Sequence, residues 1–126
     1  TILSQDASAE IVLLGDFNED PDEMNVQSLK TVGLTSLMEP MLGTPNVGTY
    51  VYSGEDLFYD QIIVSEGLKD KKGLGFDSES VMILDLPKYR QQEGDYAHYP
   101  FRFWAGNSLL GGYSDHLAVR VTIIKI

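Results

Sequence analysis

Apolar residues along this chain fall in short runs bounded by turn-forming residues, the pattern of strands joined by loops, with one segment of helical character. Ile11-Val12-Leu13-Leu14 is a continuous apolar run ending at Gly15-Asp16, which predicts a central strand buried on both faces. In Asp20-Pro21-Asp22-Glu23 an acid stands at the cap, a proline in the first turn, and Glu23 three residues after the cap. These signals predict a helix from about Pro21 to Thr31, ended by Gly33. Gly48 to Tyr52 and Leu57 to Val64 flank the turn-like Ser53-Gly54-Glu55-Asp56 and predict a hairpin. Lys69 to Ser80 reads as an exposed loop, because Asp70-Lys71-Lys72-Gly73 carries charge and glycine. A short strand over Ser80 to Leu84 follows, then a long polar and aromatic connection from Tyr89 to Gly112. The last strand begins near Leu117.

Composition narrows this picture. A chain of 126 residues makes one domain, residues 1–126, and its 43% hydrophobic content places it among globular chains. No apolar run approaches the length of a membrane span. The absence of cysteine excludes disulfides, thiolate metal sites and thiol nucleophiles. With 19 acids against 9 bases the net charge is -10, which disfavours a broad electrostatic grip on a nucleic-acid backbone. An acidic chain can still bind phosphate through a metal ion in a small site.

Three places carry candidate chemistry. Asp115-His116 stands at the mouth of the last strand, and only one other histidine, His98, occurs in the chain. In Gly15-Asp16-Phe17-Asn18, a continuing strand would put Asp16 and Asn18 on one side. There a carboxylate can hold an attacking water while an amide orients a phosphate oxygen. A plain strand-to-helix turn explains the same residues. A calcium loop with ligands at Asp16, Asn18 and Asp20 fails at Pro21, where glycine is needed, and at Gln27, where a glutamate is needed. In Tyr59-Asp60-Gln61-Ile62-Ile63-Val64-Ser65, alternation sets Asp60 on the face of Ile62 and Val64. A carboxylate beside the core needs a partner, and His116 is the natural one. An edge-strand aspartate facing water is the alternative. His98 and Arg102, in the long connection, either touch substrate or serve that loop alone, whereas Tyr113 is expected within reach of the site.

Taken together, Gly15-Asp16-Phe17-Asn18, Tyr59 to Ser65 and Ser114-Asp115-His116-Leu117-Ala118-Val119 resemble, in that order, the carboxyl-terminal half of the endonuclease/exonuclease/phosphatase (deoxyribonuclease-like) superfamily. The resemblance implies an α/β (α+β) fold: half of a layered α/β sandwich, with a mostly antiparallel or mixed β-sheet and a flanking helix. It also implies a fragment of a metal-dependent phosphoester hydrolase, be it nuclease, phosphodiesterase or phosphatase. Asp16 would position or deprotonate the attacking water and Asn18 would orient the phosphate. His116 would stabilise developing charge or move a proton, with Asp60 holding the imidazole. Asp115 and Asp16 would serve Mg2+ or Mn2+, and Asn18, Tyr113 and Arg102 would bind substrate.

Family members draw an early asparagine and the main metal-binding glutamate from an amino-terminal half with no counterpart among these motifs. The expected partners are therefore a phosphoester of unspecified type, the amino-terminal half of the same domain, and a second copy packed through an exposed sheet. Alone, the chain is expected to be inactive or nearly so. The competing readings are a non-catalytic binding module on the same fold and an acidic calcium-binding domain.

Overall fold

A computed structural model describes residues 1–126. In chain order it holds the helix α1 (Ile2–Gln5), the strand β1 (Val12–Asp16), the helix α2 (Met24–Leu29), and strands β2 (Leu34–Ser36), β3 (Tyr50–Tyr52), β4 (Glu55–Leu57) and β5 (Asp60–Ser65). There follow β6 (Leu74–Ile83), β7 (Trp104–Ala105), β8 (Ser108–Leu109) and β9 (Val119–Lys125). Every strand pairing is antiparallel, so the fold is α+β with few helices.

The centre is a three-stranded sheet in the order β1-β5-β2. Alternation along β5 sends Ile63 to one face, where it packs with Val26 of α2 and Leu34 of β2, with Leu3 and Phe17 alongside. The other face carries Ile62 and Val64, packed with Leu68, Val12, Phe76, Val119 and Val121. Helices thus cover one side of the sheet and the β6–β9 ribbon covers the other. Because β9 lies on the face that also carries Asp60, the residues leading into β9 arrive over that aspartate.

The N-terminal segment is fastened to the far end of β5 through Ser65, which is wholly buried. Its hydroxyl accepts from the Ile11 amide at 2.9 Å and donates to the Ala9 carbonyl at 2.6 Å.

Several expectations need correction. The apolar run from Val12 forms β1, but as an edge strand with β5 its one neighbour: Val12 joins the cluster under the β6–β9 ribbon, whereas Leu14 on the same face is 71% exposed. The helix starts at Met24 and not near Pro21, since the Asp20 carboxylate accepts from the Phe58 amide across the chain and does not cap. It passes into a 3-10 turn and ends at Gly33 as expected. The hairpin is shorter than expected and has a different second arm: β3 pairs with β4, mostly inside the segment expected to be the turn, while most of the expected arm forms β5 and pairs with β1 and β2. Ser53 (φ 50) and Gly54 (φ 84) alone connect β3 to β4, both left-handed, as a two-residue turn between right-twisted strands requires.

The largest difference lies between Lys69 and Leu84. Most of the expected loop belongs to β6, which begins at Leu74 and pairs with β9. Polar residues hide this strand because it bulges between Asp77 and Met82, where the register against β9 shifts. Ser80 fills the bulge, its hydroxyl donating to the Asp77 carbonyl at 2.7 Å and accepting from the Thr122 amide at 2.7 Å. The connection from Tyr89 to Gly112 is ordered by its own ladder, with Arg90 bridged to Pro100 and a small β7–β8 hairpin.

Candidate active site

Asp16 ends β1 and Asp60 begins β5, and the two are directly opposite in the register, so their side chains leave the same face of the sheet. The backbone bond from the Phe17 amide to the Tyr59 carbonyl, at 2.7 Å, carries the pairing one step further. Asn18 then turns off the strand with φ 52, and its amide donates to Asp16 Oδ1 at 2.9 Å. The two residues are neighbours through this local turn, and not through the strand alternation expected of them.

His116 reaches the same corner from the other direction. Its Nδ1 lies 2.6 Å from Asp60 Oδ2. A carboxylate only accepts, so Nδ1 donates to Asp60, and Nε2, which has no hydrogen-bond partner within the chain, is left to meet a ligand. Side-chain exposures of 25% for His116 and 18% for Asp60 mean the pair is partly shielded yet open to a ligand.

The surroundings fix this geometry. Thr49, fully buried, accepts from the Asp60 amide at 3.0 Å through its hydroxyl, while its carbonyl accepts from the Leu117 amide at 2.7 Å. One residue therefore holds the backbone beside both members of the pair. The Tyr50 ring stacks on His116 with centroids 4.6 Å apart, and Tyr59 stacks on Tyr50 at 5.5 Å. Thr49, Tyr50 and Tyr59 were absent from the sequence candidates. The available signal was Gly48-Thr49-Tyr50, whose polar residue sits in an otherwise apolar arm.

Acids set the electrostatics of this end of the sheet. Burial pushes the Tyr59 phenol above its ordinary value, reinforced by the charges of Asp20 and Glu23, by Tyr50 and by Asp16. Burial also raises the Asp20 carboxyl, opposed by the bond from the Phe58 amide, with the Asp22 charge raising it further. That bond turns Asp20 inward. With a strand in front of it, the Asp16-Asn18-Asp20 alternation does not fold as a calcium loop.

The remaining candidates divide. Tyr113 lines the same cavity as His116. Arg102 lines a different one, with Tyr96 and Tyr99. His98 is exposed with φ 76, in a cleft beside Asp85 and Arg90. Asp115, next to His116, is exposed on the approach to β9. Asp16 and Asp115 offer the oxygen donors that Mg2+ takes, but nowhere do three histidine, aspartate or glutamate side chains converge. The donors of this chain do not make a metal cage by themselves.

Against known proteins, the family model described as Endonuclease/Exonuclease/phosphatase family matches residues 1–125. No curated protein and no solved structure matches the chain.

Proposed function

The chain belongs to the endonuclease/exonuclease/phosphatase family, whose members are generally hydrolases acting on phosphoesters, and from that premise we propose that it carries one side of a phosphoester-hydrolysing site. The observation that supports this reading is the 2.6 Å contact between His116 and Asp60, opposite the Asp16 strand end. Hydrolysis of a phosphoester needs an oriented water, neutralisation of charge on the phosphoryl oxygens, and a route for protons.

Asp16 serves the water. One of its oxygens is occupied by the Asn18 amide, and the other is free to accept a water proton. The Asn18 side-chain amide donates to a phosphoryl oxygen, with its backbone pinned by the same turn. His116 acts through Nε2, taking a proton as base, or donating to the phosphoryl oxygen once protonated. Asp60 keeps the tautomer fixed and stabilises the imidazolium. Magnesium or manganese would add Lewis-acid stabilisation of phosphate charge, but the chain gathers too few donors to hold it alone. The exposed edge and face of β1, ending at Asp16, is the surface we assign to the complementary half of the domain, which would bring the missing donors to that corner.

The test is an NMR titration with inorganic phosphate and methyl phosphate. Both should shift the His116 ring and the Asn18 side-chain amide together, and His116→Ala should abolish the response. Phosphate that moves neither residue overturns the reading. Turnover of an activated phosphodiester should stay near the buffer rate. Fast turnover abolished by Asp16→Ala would mean a complete site and would overturn the one-sided assignment.

A further inference from the structure

The cavity that takes in His116 has a volume of about 170 Å³, and its other walls are Leu84, Tyr89, Tyr113, Leu117 and Ala118, with Ser114 the one further polar residue. A site walled so largely by carbon is unexpected beside a phosphate-handling imidazole, since phosphate itself has no use for it. Its size is informative: an apolar cavity of about 150 Å³ is enough for benzene.

The pocket is built into the fold. Its floor is tied by the Leu84 amide donating to the Ala118 carbonyl at 2.8 Å. The Tyr113 amide donates to the Phe101 carbonyl at 2.6 Å. The neighbouring Gly112 lies so close to the same segment that a Cβ there would meet the Phe101 oxygen at 2.1 Å. Tyr89 and Tyr113 pack edge to face, with centroids 5.1 Å apart and planes at 85°, although Tyr113 is 62% exposed. An exposed aromatic ring held in a fixed attitude presents a ready surface for a second ring.

Lys88 completes the arrangement. Its Nζ lies 5.0 Å from the Tyr89 centroid and 5.9 Å from that of Tyr113. It makes no ion pair, although acids outnumber bases 19 to 9 in the chain. A positive charge at the rim of a ring-sized apolar pocket suits a ligand that is both aromatic and anionic.

We infer that the His116 site selects phosphoesters whose ester group is a single aromatic ring, seated in the pocket against the Tyr89–Tyr113 pair with its phosphate toward His116 and Lys88 at the rim. This rests on the phosphoester reading above and specifies its substrate class.

Phenyl phosphate, methyl phosphate and phenol, titrated separately against the whole chain and followed by NMR, test it. Phenyl phosphate should bind about tenfold more tightly than methyl phosphate, a ratio worth about 1.4 kcal/mol, and should shift Tyr89, Tyr113 and His116 together. Tyr113→Ala, a change at an exposed side chain, should bring phenyl phosphate down to the affinity that methyl phosphate has for the same variant. Lys88→Gln should weaken phenyl phosphate about threefold and leave phenol unaffected. Equal binding of the two phosphates, with His116 shifting for both, overturns the ring pocket while the phosphoester reading stands. Phenol shifting Tyr89 and Tyr113 while neither phosphate reaches His116 supports the ring pocket and overturns the phosphoester reading.

Discussion

His116 Nδ1 and Asp60 Oδ2 meet at 2.6 Å although 56 positions separate the two residues along the chain. The contact follows from two strand faces: β5 sends Asp60 toward the side on which β9 packs, and His116 is the last polar residue before β9 settles there.

Replacing the carboxylate should therefore change the imidazole before it changes the fold. In Asp60→Asn the amide can accept from Nδ1 or donate to it, so the ring loses its single tautomer. Nitrogen chemical shifts of His116 should move from one tautomer toward a mixture, and phosphate affinity should fall about tenfold. An unchanged tautomer would show that Asp60 does not orient the ring.

Thr49→Val keeps the shape of a wholly buried side chain and removes one hydroxyl. The Asp60 amide is then left without its acceptor, at a cost of about 1–3 kcal/mol in urea denaturation. Because the Thr49 carbonyl still receives the Leu117 amide, His116 should stay close to its place while the start of β5 loosens. Faster hydrogen exchange at Asp60 than at Leu117 is the expected signature.

Asp20 gives the chain a pH dependence of determinable sign. Its carboxyl is raised from 3.8, chiefly by burial, so the folded protein holds that proton more tightly than the unfolded chain. Its contribution to stability is greatest below 3.8 and is lost as pH rises through the folded value. Asp20→Asn keeps an acceptor for the Phe58 amide and removes the charge. It should gain on the wild type between acid and neutral pH, and the two should converge at about pH 3. Asp20→Ala loses the bond as well and should be destabilised by about 1–3 kcal/mol at either pH.

The two apolar strands at the centre should respond unequally to truncation. Ile63, with no exposed surface, packs against Val26 and Leu34, and Ile63→Ala should cost about 2–5 kcal/mol. Leu14, at 71% exposure, should tolerate alanine within about 0.5 kcal/mol. A large loss at Leu14 would mean that the β1 face is covered in solution.

How far the sequence foretold these features depended on whether the controlling interaction was local. Alternation in β5 was enough to put Asp60 beside the core and to nominate His116 as its partner. The glycine stop after α2 was legible for the same reason, as was the turn at Ser53-Gly54, but not the arm that returns from it, since most of Leu57 to Val64 pairs with β1 and β2 instead. The start of α2 was not, because Asp20 is taken by Phe58, 38 positions away. The edge position of β1 was hidden too, since an apolar run records what a strand can bury and not how many neighbours it has. The first part of β6 reads as a loop because the charged Asp70-Lys71-Lys72-Gly73 leads into it and a bulge then suspends alternation before the end of the strand, from Ser80 on, becomes legible. Thr49 and Tyr50 matter through a backbone atom, a hydroxyl and a ring face, none of which a motif advertises.

The pairing of Asp16 with Asp60 in β1 and β5 makes the sheet a jig for the chemistry. A slip of one position along β5 would turn Asp60 to the helix-covered side and carry Ile62 and Val64 with it. Substitutions at Ile62, Ile63 or Val64, far from any reacting atom, are thus also changes to the tolerance of the site. Damage there should surface first as loss of alignment between the two acids, in a molecule that still passes every test of being folded.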